Sequence, residues 1–134
     1  MKIDHIGIAC KNISQAQKQY EQLGFVIIKD LITDFERNLD YIFMENEGYV
    51  IELVAVNDSQ RKSDIDTILA QVKLIGYKMY HVCFLTNDMD TSIKKYLTLG
   101  YKLIKLPAPA IACDNKCVAF LIHIELGMIE LLEE

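Results

Sequence analysis

The sequence predicts an α+β fold made of two tandem βαβββ modules. The first observation behind this prediction is an internal repeat, in which short segments recur with an offset of 76 to 78 residues. The repeat relates 4–8 to 80–84, 20–25 to 96–101, and 51–53 to 129–131. The second observation is that the hydrophobic period changes in the same order in both halves. We therefore expect a single domain over residues 1–134, with modules at 1–56 and 79–134 and a connecting segment at 57–78.

The first module begins with an apolar, β-branched run that predicts a strand over 3–9. Asn12 or Ser14 can cap a helix that continues to about Leu23, and Gly24 stands where helices commonly end. Three β-rich segments follow, and charged or glycine-containing turns separate them. Their predicted ranges are 25–32, 39–44 and 49–56.

The second module repeats this order. A strand is followed by a helix that Asn87 or Asp88 can cap and that Gly100 ends, and a loop containing Pro107 and Pro109 interrupts the strands after it. The predicted strands are 80–85, 101–106, 117–122 and 128–132, and the predicted helix is 89–99. Between the modules, apolar residues at i, i+3, i+4 and i+7 predict an amphipathic connecting helix over 63–74.

The composition limits the classes of partner. Hydrophobic residues make up 51% of the chain and charged residues 25%, which is typical of a globular protein. The formal net charge of −5 argues against a nucleic-acid partner, because phosphate binding requires a basic surface. The sequence has no apolar run near 18 residues and no signal-like N-terminus, so we expect a cytoplasmic protein with no membrane partner. The four scattered cysteines are expected to be free thiols.

Four polar residues lie in the middle of apolar strands, at equivalent places in the two halves: His5, Glu52, His81 and Glu130. Such a residue is exposed by alternation, paired, or bound to a metal, and a single strand histidine is more often an ordinary core residue. The joint pattern favours a site. If the first and last strands of each module are neighbours, His5 lies beside Glu52 and His81 beside Glu130. Two imidazoles and two carboxylates suit one divalent first-row metal ion, without distinguishing nickel, cobalt, zinc, manganese and iron.

At these positions the chain resembles the vicinal oxygen chelate superfamily, which includes lactoylglutathione lyase (glyoxalase I), methylmalonyl-CoA epimerase, extradiol dioxygenases and bleomycin-resistance proteins. The motifs that carry the resemblance are Asp4–Ala9, Leu23–Phe25, Ile51–Val54, His81–Phe84 and Ile129–Glu133. The resemblance implies that the two βαβββ modules form a curved, half-open barrel-like sheet around a metal site. It also implies that the metal ligands are His5, Glu52, His81 and Glu130.

Within the superfamily, the resemblance implies a metal-dependent lyase or isomerase of the lactoylglutathione lyase type, with a methylmalonyl-CoA epimerase-like racemase as the alternative. Bacterial lactoylglutathione lyases are similar in length and in having two His and two Glu. The epimerases are similar in the Asp-His-Ile-Gly-Ile opening and the Ile-Glu-Leu close, but they commonly carry Gln where Glu52 stands. A third interpretation is a non-catalytic small-molecule-binding module that keeps the fold.

Both enzymatic interpretations imply removal of a proton next to a carbonyl, with metal stabilisation of the resulting enediolate or enolate. Glu130, and by symmetry Glu52, can then act as base and acid. The epimerases use a further glutamate near the place of Glu36, which is otherwise a solvated loop carboxylate. The implied partner is a small-molecule thioester or thiol conjugate, and Arg37, Arg61 and Lys116 are candidate contacts for its anionic groups. Because edge strands are seldom left bare, we also expect a homodimer.

Overall fold

The structure is a computed structural model that describes residues 1–72 and 74–134. The described residues form eight strands, three α-helices and one 3₁₀ turn. Their order confirms the predicted α+β class and the repeated βαβββ arrangement. The elements are β1 (Ile3–Cys10), α1 (Ile13–Gln22), β2 (Val26–Asp34), β3 (Leu39–Asn46), β4 (Tyr49–Val56), α2 (Asp66–Leu69), β5 (Tyr77–Thr86), α3 (Met89–Thr98), β6 (Lys102–Ala110), the 3₁₀ turn (Ile111–Cys113), β7 (Lys116–His123) and β8 (Gly127–Glu133).

Backbone contacts divide the chain into two compact units. Residues 6–80 form one unit, and residues 1–5 join residues 81–134 in the other. The N-terminal residues belong to the second unit because the Leu85 N–H donates a hydrogen bond to the Lys2 carbonyl over 2.9 Å. His5 is therefore grouped with His81 and Glu130. The predicted single domain with module boundaries at 56 and 79 stays a prediction.

In the unit of residues 6–80, the strand order is β2-β3-β4-β1. The predicted pairing of the first and last strands is confirmed, because β1 and β4 are parallel neighbours. Their register places Glu52 opposite Gly7. Helix α1 begins after Asn12, whose side chain accepts a hydrogen bond from the Gln15 N–H over 3.1 Å. This helix packs on the sheet face that carries Ile8, Ile42, Met44, Ile51 and Leu53.

In the unit of residues 1–5 and 81–134, the strand order is β5-β8-β7-β6. β5 and β8 are again parallel neighbours, and their register places Cys83 opposite Glu130. Asp88 caps α3 by accepting a hydrogen bond from the Thr91 N–H over 3.0 Å. The apolar core of this unit consists of Met89, Ile93, Ala119, Leu121, Ile129 and Leu131. Each core lies under the helix of its own module, on the sheet face opposite to the one that carries Glu52 or Glu130.

The predicted loop around Pro107 and Pro109 is wrong, because β6 continues through both prolines to Ala110. Proline cannot donate to a strand ladder, but it is tolerated in an edge strand or at a bulge. β6 ends the strand order, and its register against β7 shifts on both sides of Lys105. β6 can therefore contain two prolines because it is last in the strand order and its pairing with β7 is irregular. The local sequence, with two prolines close together, indicates a loop instead.

The predicted connecting helix over 63–74 is also wrong in extent. α2 covers only Asp66–Leu69, and residue 73 lies outside the described residues. After Leu69 the Gln71 and Val72 N–H groups donate to carbonyls three residues back, so the helix tightens and ends. In this segment Ile65 and Val72 are buried, whereas Ile68 and Leu69 are only partly so. The four apolar positions are thus at least partly buried, although the α-helix itself covers only four residues.

The prediction that all four cysteines are free thiols is confirmed. Tyr20 packs edge-to-face on Phe25 with ring centroids 5.2 Å apart, and Tyr96 packs in the same way on Tyr101 at 5.1 Å. These tyrosines therefore belong to the helix-to-sheet packing and not to a functional site. Within the described residues, we find no helix with the length and apolar character that crossing a membrane requires.

Candidate metal centre

Three buried side chains converge in the unit of residues 1–5 and 81–134. The Oε2 atom of Glu130 lies 3.0 Å from His81 Nε2 and 3.2 Å from His5 Nε2. The two Nε2 atoms are 3.3 Å apart. The imidazole rings meet edge-to-face, with centroids separated by 5.4 Å. Three potential ligand atoms from positions 5, 81 and 130 therefore surround one point.

The strand pairing explains this convergence. Glu130 in β8 lies between Cys83 in β5 and Phe120 in β7. Because residues two apart in a strand share a face, His81 projects on the same side as Cys83 and Glu130. The Phe120 ring contacts the His81 ring edge-to-face at 5.4 Å. These neighbours hold the imidazole of His81 toward the Glu130 carboxylate.

The electrostatics of Glu130 reflect the two histidines. Burial of the carboxyl group raises its pKa, but the charge of His81 and the contacts with the His81 and His5 rings outweigh that effect. The pKa of Glu130 consequently lies well below its usual range. The carboxylate is therefore ionised while only 4% of its side chain is exposed. A buried anion of this kind needs compensating positive charge nearby.

The donor set fits a metal cation. His5 Nδ1 lies 2.8 Å from the Asp4 carboxylate and is assigned as the N–H donor, which leaves the lone pair of Nε2 toward the centre. A carboxylate oxygen contributes a further lone pair at the same point. For ligand atoms about 2.1 Å from a metal, neighbouring ligands are about 3.0 Å apart in an octahedral site and about 3.4 Å apart in a tetrahedral one. The observed separations of 3.0 to 3.3 Å fall within this range.

Glu52, the fourth predicted ligand, lies in the unit of residues 6–80. It is 3% exposed in the middle of β4, between Gly7 of β1 and Phe43 of β3. This position is equivalent to that of Glu130, which lies between Cys83 and Phe120. Its participation in the metal centre stays a prediction.

The other predicted site residues lie elsewhere. Glu36 is exposed in the turn between β2 and β3, so its catalytic role also stays a prediction. In the same turn, Arg37 forms a 2.9 Å ion pair with Asp34, and an Arg61 guanidinium nitrogen donates to the Phe35 carbonyl over 3.2 Å. Lys116 is exposed at the start of β7. Arg37 and Arg61 therefore stabilise the turn. Their contact with an anionic ligand stays a prediction.

Sequence reasoning missed a Lys–Phe pair that recurs in both modules. The pair lies on the two strands beyond the strand that carries Glu52 or Glu130. Lys29 is the register partner of Phe43 in the first module, and Lys105 is the partner of Phe120 in the second. The Lys29 ammonium lies 5.2 Å from the centroid of the Phe43 ring. The signal was present in the sequence, because Lys29 and Lys105 are 76 residues apart, as His5 and His81 are, and Phe43 and Phe120 are 77 apart. Asp4, which the resemblance includes only as part of the first motif, contacts His5, the next residue in the chain.

Solved structures with this fold come from several bacteria. A hypothetical protein from Bacillus halodurans C-125 superposes with a TM-score of 0.83 at 22% identity, covering 99% of this chain and 94% of that one. Methylmalonyl-CoA epimerase from Mycobacterium tuberculosis gives 0.77 at 21% identity, covering 98% and 86%. A variant of the Streptomyces coelicolor epimerase, in complex with 2-nitronate-propionyl-CoA, gives 0.79 at 21% identity, covering 100% and 97%. At these identities the similarity establishes the fold alone.

Sequence comparison identifies the family. No protein with a curated function matches the chain. A family model described as the glyoxalase/bleomycin resistance protein/dioxygenase superfamily matches residues 4–120, which include both histidines and most of both modules. This match confirms the resemblance that the repeated His and Glu motifs indicated. The chain belongs to the glyoxalase/bleomycin resistance protein/dioxygenase superfamily.

Proposed function

We propose that this protein is a metal-dependent enzyme that removes and returns a proton on the carbon next to a thioester carbonyl, as an epimerase does. The observation that carries the proposal is the convergence of His5, His81 and Glu130, whose ligand atoms lie 3.0 to 3.3 Å apart. Buried imidazole and carboxylate groups that meet in this way are typical of metal centres in which some coordination positions stay open.

The proposed ligands are His5, His81, Glu130 and, as the fourth, Glu52. Support for Glu52 comes from its burial and from its equivalence to Glu130 in the internal repeat. The donor set accommodates one divalent ion, and nickel, cobalt, zinc, manganese and iron are all compatible with it. Such an ion would act as a Lewis acid that lowers the pKa of the substrate carbon.

Glu130 is the proposed base. Its Oε2 atom lies 3.0 and 3.2 Å from the two imidazole nitrogens, and one carboxylate oxygen would loosen from the metal to take up the proton. A metal-bound carboxylate is a weaker base than a free one, so catalysis would depend on making the substrate more acidic. Inversion at carbon requires a second acid on the opposite face of the substrate. In an epimerase the candidate is Glu36, because the resemblance implies a further epimerase glutamate near it. In a lyase Glu52 can take or return the proton instead, because its strand position is equivalent to that of Glu130.

The proposed substrate is a small-molecule acyl thioester. Support comes from neighbours of the same fold: one epimerase structure is described as a complex with methylmalonyl-CoA, and another as a complex with 2-nitronate-propionyl-CoA. The chain is similar to these proteins over nearly its whole length. An acyl-CoA is consistent with chemistry that needs an acidic proton next to a carbonyl.

A second candidate is a lyase of the glyoxalase I type acting on a thiol conjugate of glutathione. The observation that favours it is the identity of residue 52, which is Glu in this chain. The family resemblance implies Gln at this position in epimerases and Glu in bacterial lactoylglutathione lyases. Two buried carboxylates at equivalent positions would suit a reaction in which either one takes the proton.

The test is deuterium uptake from solvent by two substrates. The protein, reconstituted with nickel, cobalt or zinc, is incubated in D₂O with methylmalonyl-CoA and with methylglyoxal–glutathione hemithioacetal, and mass spectrometry follows the exchange. We expect exchange into the CoA ester. Exchange into the hemithioacetal alone would favour the lyase, and no exchange into either would favour a non-catalytic binding module.

The Glu52→Gln variant separates the two enzymes further. In an epimerase we expect it to keep substantial activity, because Gln provides an oxygen ligand at the same place. In a lyase with two interchangeable carboxylates, the loss should approach that caused by Glu130→Gln. The two substitutions remove the same charge from equivalent strand positions, so each is a control for the other.

We also propose that the protein is a homodimer. Support comes from the strand order, in which β2 and β6 have a neighbour on one side. Light scattering at micromolar concentration should return twice the chain mass. A mass of 15.4 kDa would contradict this proposal.

A further inference from the structure

We infer that Asp4 is a positioning residue, which orients His5 toward the metal centre and raises its strength as a ligand. The inference rests on the proposed metal centre and goes beyond it by adding a residue outside the ligand set. The Asp4 Oδ2 atom lies 2.8 Å from His5 Nδ1.

The contact does not follow from strand geometry. Successive residues of a β-strand point to opposite faces, so neighbouring side chains do not normally meet. Asp4 is only half-buried, with 37% of its side chain exposed, whereas the His5 side chain is fully buried. Water is therefore available to the Asp4 carboxylate, yet the carboxylate turns back toward the His5 ring. A specific hydrogen bond accounts for this orientation better than burial does.

The hydrogen bond determines which nitrogen of His5 can bind a metal. With the proton on Nδ1, donated to Asp4, the neutral ring keeps its lone pair on Nε2. That atom is 3.2 Å from Glu130 Oε2 and 3.3 Å from His81 Nε2. A carboxylate behind a metal-bound histidine fixes the ring and increases its electron donation, and its loss typically weakens metal binding by 10–100-fold.

The internal repeat makes this arrangement specific to one of the two histidines. Residue 80, which precedes His81 as Asp4 precedes His5, is tyrosine. The side chain of Cys83 also hydrogen-bonds to His5, but a neutral thiol brings no charge to the ring. Asp4 is thus the residue that gives His5 a charged partner outside the centre.

The experiment compares metal affinity in Asp4→Asn and Asp90→Asn. Asp90 is exposed in the first turn of α3, so its substitution changes the net charge of the same unit equally without touching a histidine. Isothermal titration calorimetry with zinc and with cobalt should give a dissociation constant raised roughly 10–100-fold by Asp4→Asn. Asp90→Asn should leave it within about twofold of the unsubstituted protein.

A spectroscopic readout identifies the mechanism. In the zinc-loaded protein, long-range ¹H–¹⁵N spectra should show His5 protonated at Nδ1, with this proton shifted far downfield. In Asp4→Asn, the resonance should move upfield or disappear through exchange with water. Should Asp4→Asn fail to fold, Asp4→Glu retains the charge and is expected to keep the affinity within about threefold.

The outcomes separate this inference from the proposed function. If the unsubstituted protein binds neither zinc nor cobalt, the metal centre itself is wrong. If that protein binds metal and Asp4→Asn binds it equally well, the centre stands and the role of Asp4 is overturned. An equal loss of metal affinity in Asp90→Asn would also overturn the role of Asp4, because the loss would then arise from the change in net charge and not from the contact with His5. A 10–100-fold loss confined to Asp4→Asn, together with the altered His5 resonance, would support it.

Discussion

The Nε2 atom of His81 lies 3.0 Å from Oε2 of Glu130, although the strand register pairs His81 with Met128 and Glu130 with Cys83. The contact is therefore diagonal, and both side chains lean along their strands to make it. Diagonal neighbours on one sheet face lie within reach of long side chains. A slip of one residue between β5 and β8 would move the Glu130 carboxylate to the opposite face. The centre thus depends on a register that the packed core beneath it maintains.

Metal binding should stabilise the fold. At a free metal concentration of 100 times the dissociation constant, zinc, cobalt or nickel should raise the free energy of unfolding by about 2.7 kcal/mol. His81→Ala should remove most of this increment, because it deletes an atom that lies 3.0 Å from Glu130. Urea denaturation with metal and with EDTA measures the effect. His123→Ala is the control, since His123 packs on Tyr101 away from the centre, and an equal loss in that variant would contradict the prediction.

Glu130→Gln should separate catalysis from binding. The amide keeps an oxygen near the two imidazoles but cannot take up the substrate proton. Turnover should fall by roughly 10²–10⁴-fold, as expected for a lost general base, while metal affinity falls much less. Steady-state kinetics and metal titration on the same preparation give both values. Glu125→Gln, in the exposed turn before β8, should behave like the unsubstituted protein. Unchanged turnover in Glu130→Gln would exclude Glu130 as the base.

Asn38 should be important for stability. Its side chain is buried, donates to the carbonyls of Asp58, Arg61 and Lys62, and accepts from the Asp58 N–H. Asn38→Ala should therefore lower the free energy of unfolding by about 2–4 kcal/mol, as measured by urea denaturation. The backbone φ of Asn38 is 60°, so part of the loss arises from placing alanine in the left-handed region. Asn38→Gly removes the same hydrogen bonds without that strain, and it should be about 1 kcal/mol less damaging. An equal loss of unfolding free energy in Asn38→Ala and Asn38→Gly would show that backbone strain at this position contributes nothing.

The buried thiols should resist alkylation at neutral pH. Burial raises the pKa of Cys10 to about 11. Burial also raises the pKa of Cys83 to about 12, although the hydrogen bond with His5 opposes it. Because the thiolate is the reactive form, labelling of these two residues should stay negligible at pH 8 and increase only at much higher pH. Half-buried Cys117 should be labelled first. Mass spectrometry after iodoacetamide treatment, with urea-unfolded protein as the fully labelled control, tests this order.

The sequence was most informative where a feature depends on short-range periodicity. Alternation along strands and the internal repeat were sufficient to predict that His5, His81 and Glu130 share a face. The helix caps at Asn12 and Asp88 were recognisable because capping uses a few residue types at a fixed place. These features are determined by residues within a few positions of one another, and the repeat provides an independent check on each.

Features that depend on distant neighbours were harder to predict. The continuation of β6 through Pro107 depends on the position of that strand at the end of the order, which proline itself does not encode. The short length of α2 depends on how much apolar surface the segment can bury. The contact of Asp4 with His5 depends on a side-chain rotamer. Such properties arise from packing and cannot be obtained from local pattern alone.

The two prolines of β6 also bear on how copies of this chain can associate. Pro107 and Pro109 carry no backbone N–H, so at these positions the strand has nothing to donate to an incoming strand. Extension of the sheet by addition of a strand from another copy is therefore disfavoured at β6. The missing N–H groups also protect this partly exposed edge strand against amyloid-like stacking. β2, at the other end of the strand order, contains no proline. If a dimer forms by continuing a sheet across two subunits, β2 is the strand that can supply the joining hydrogen bonds.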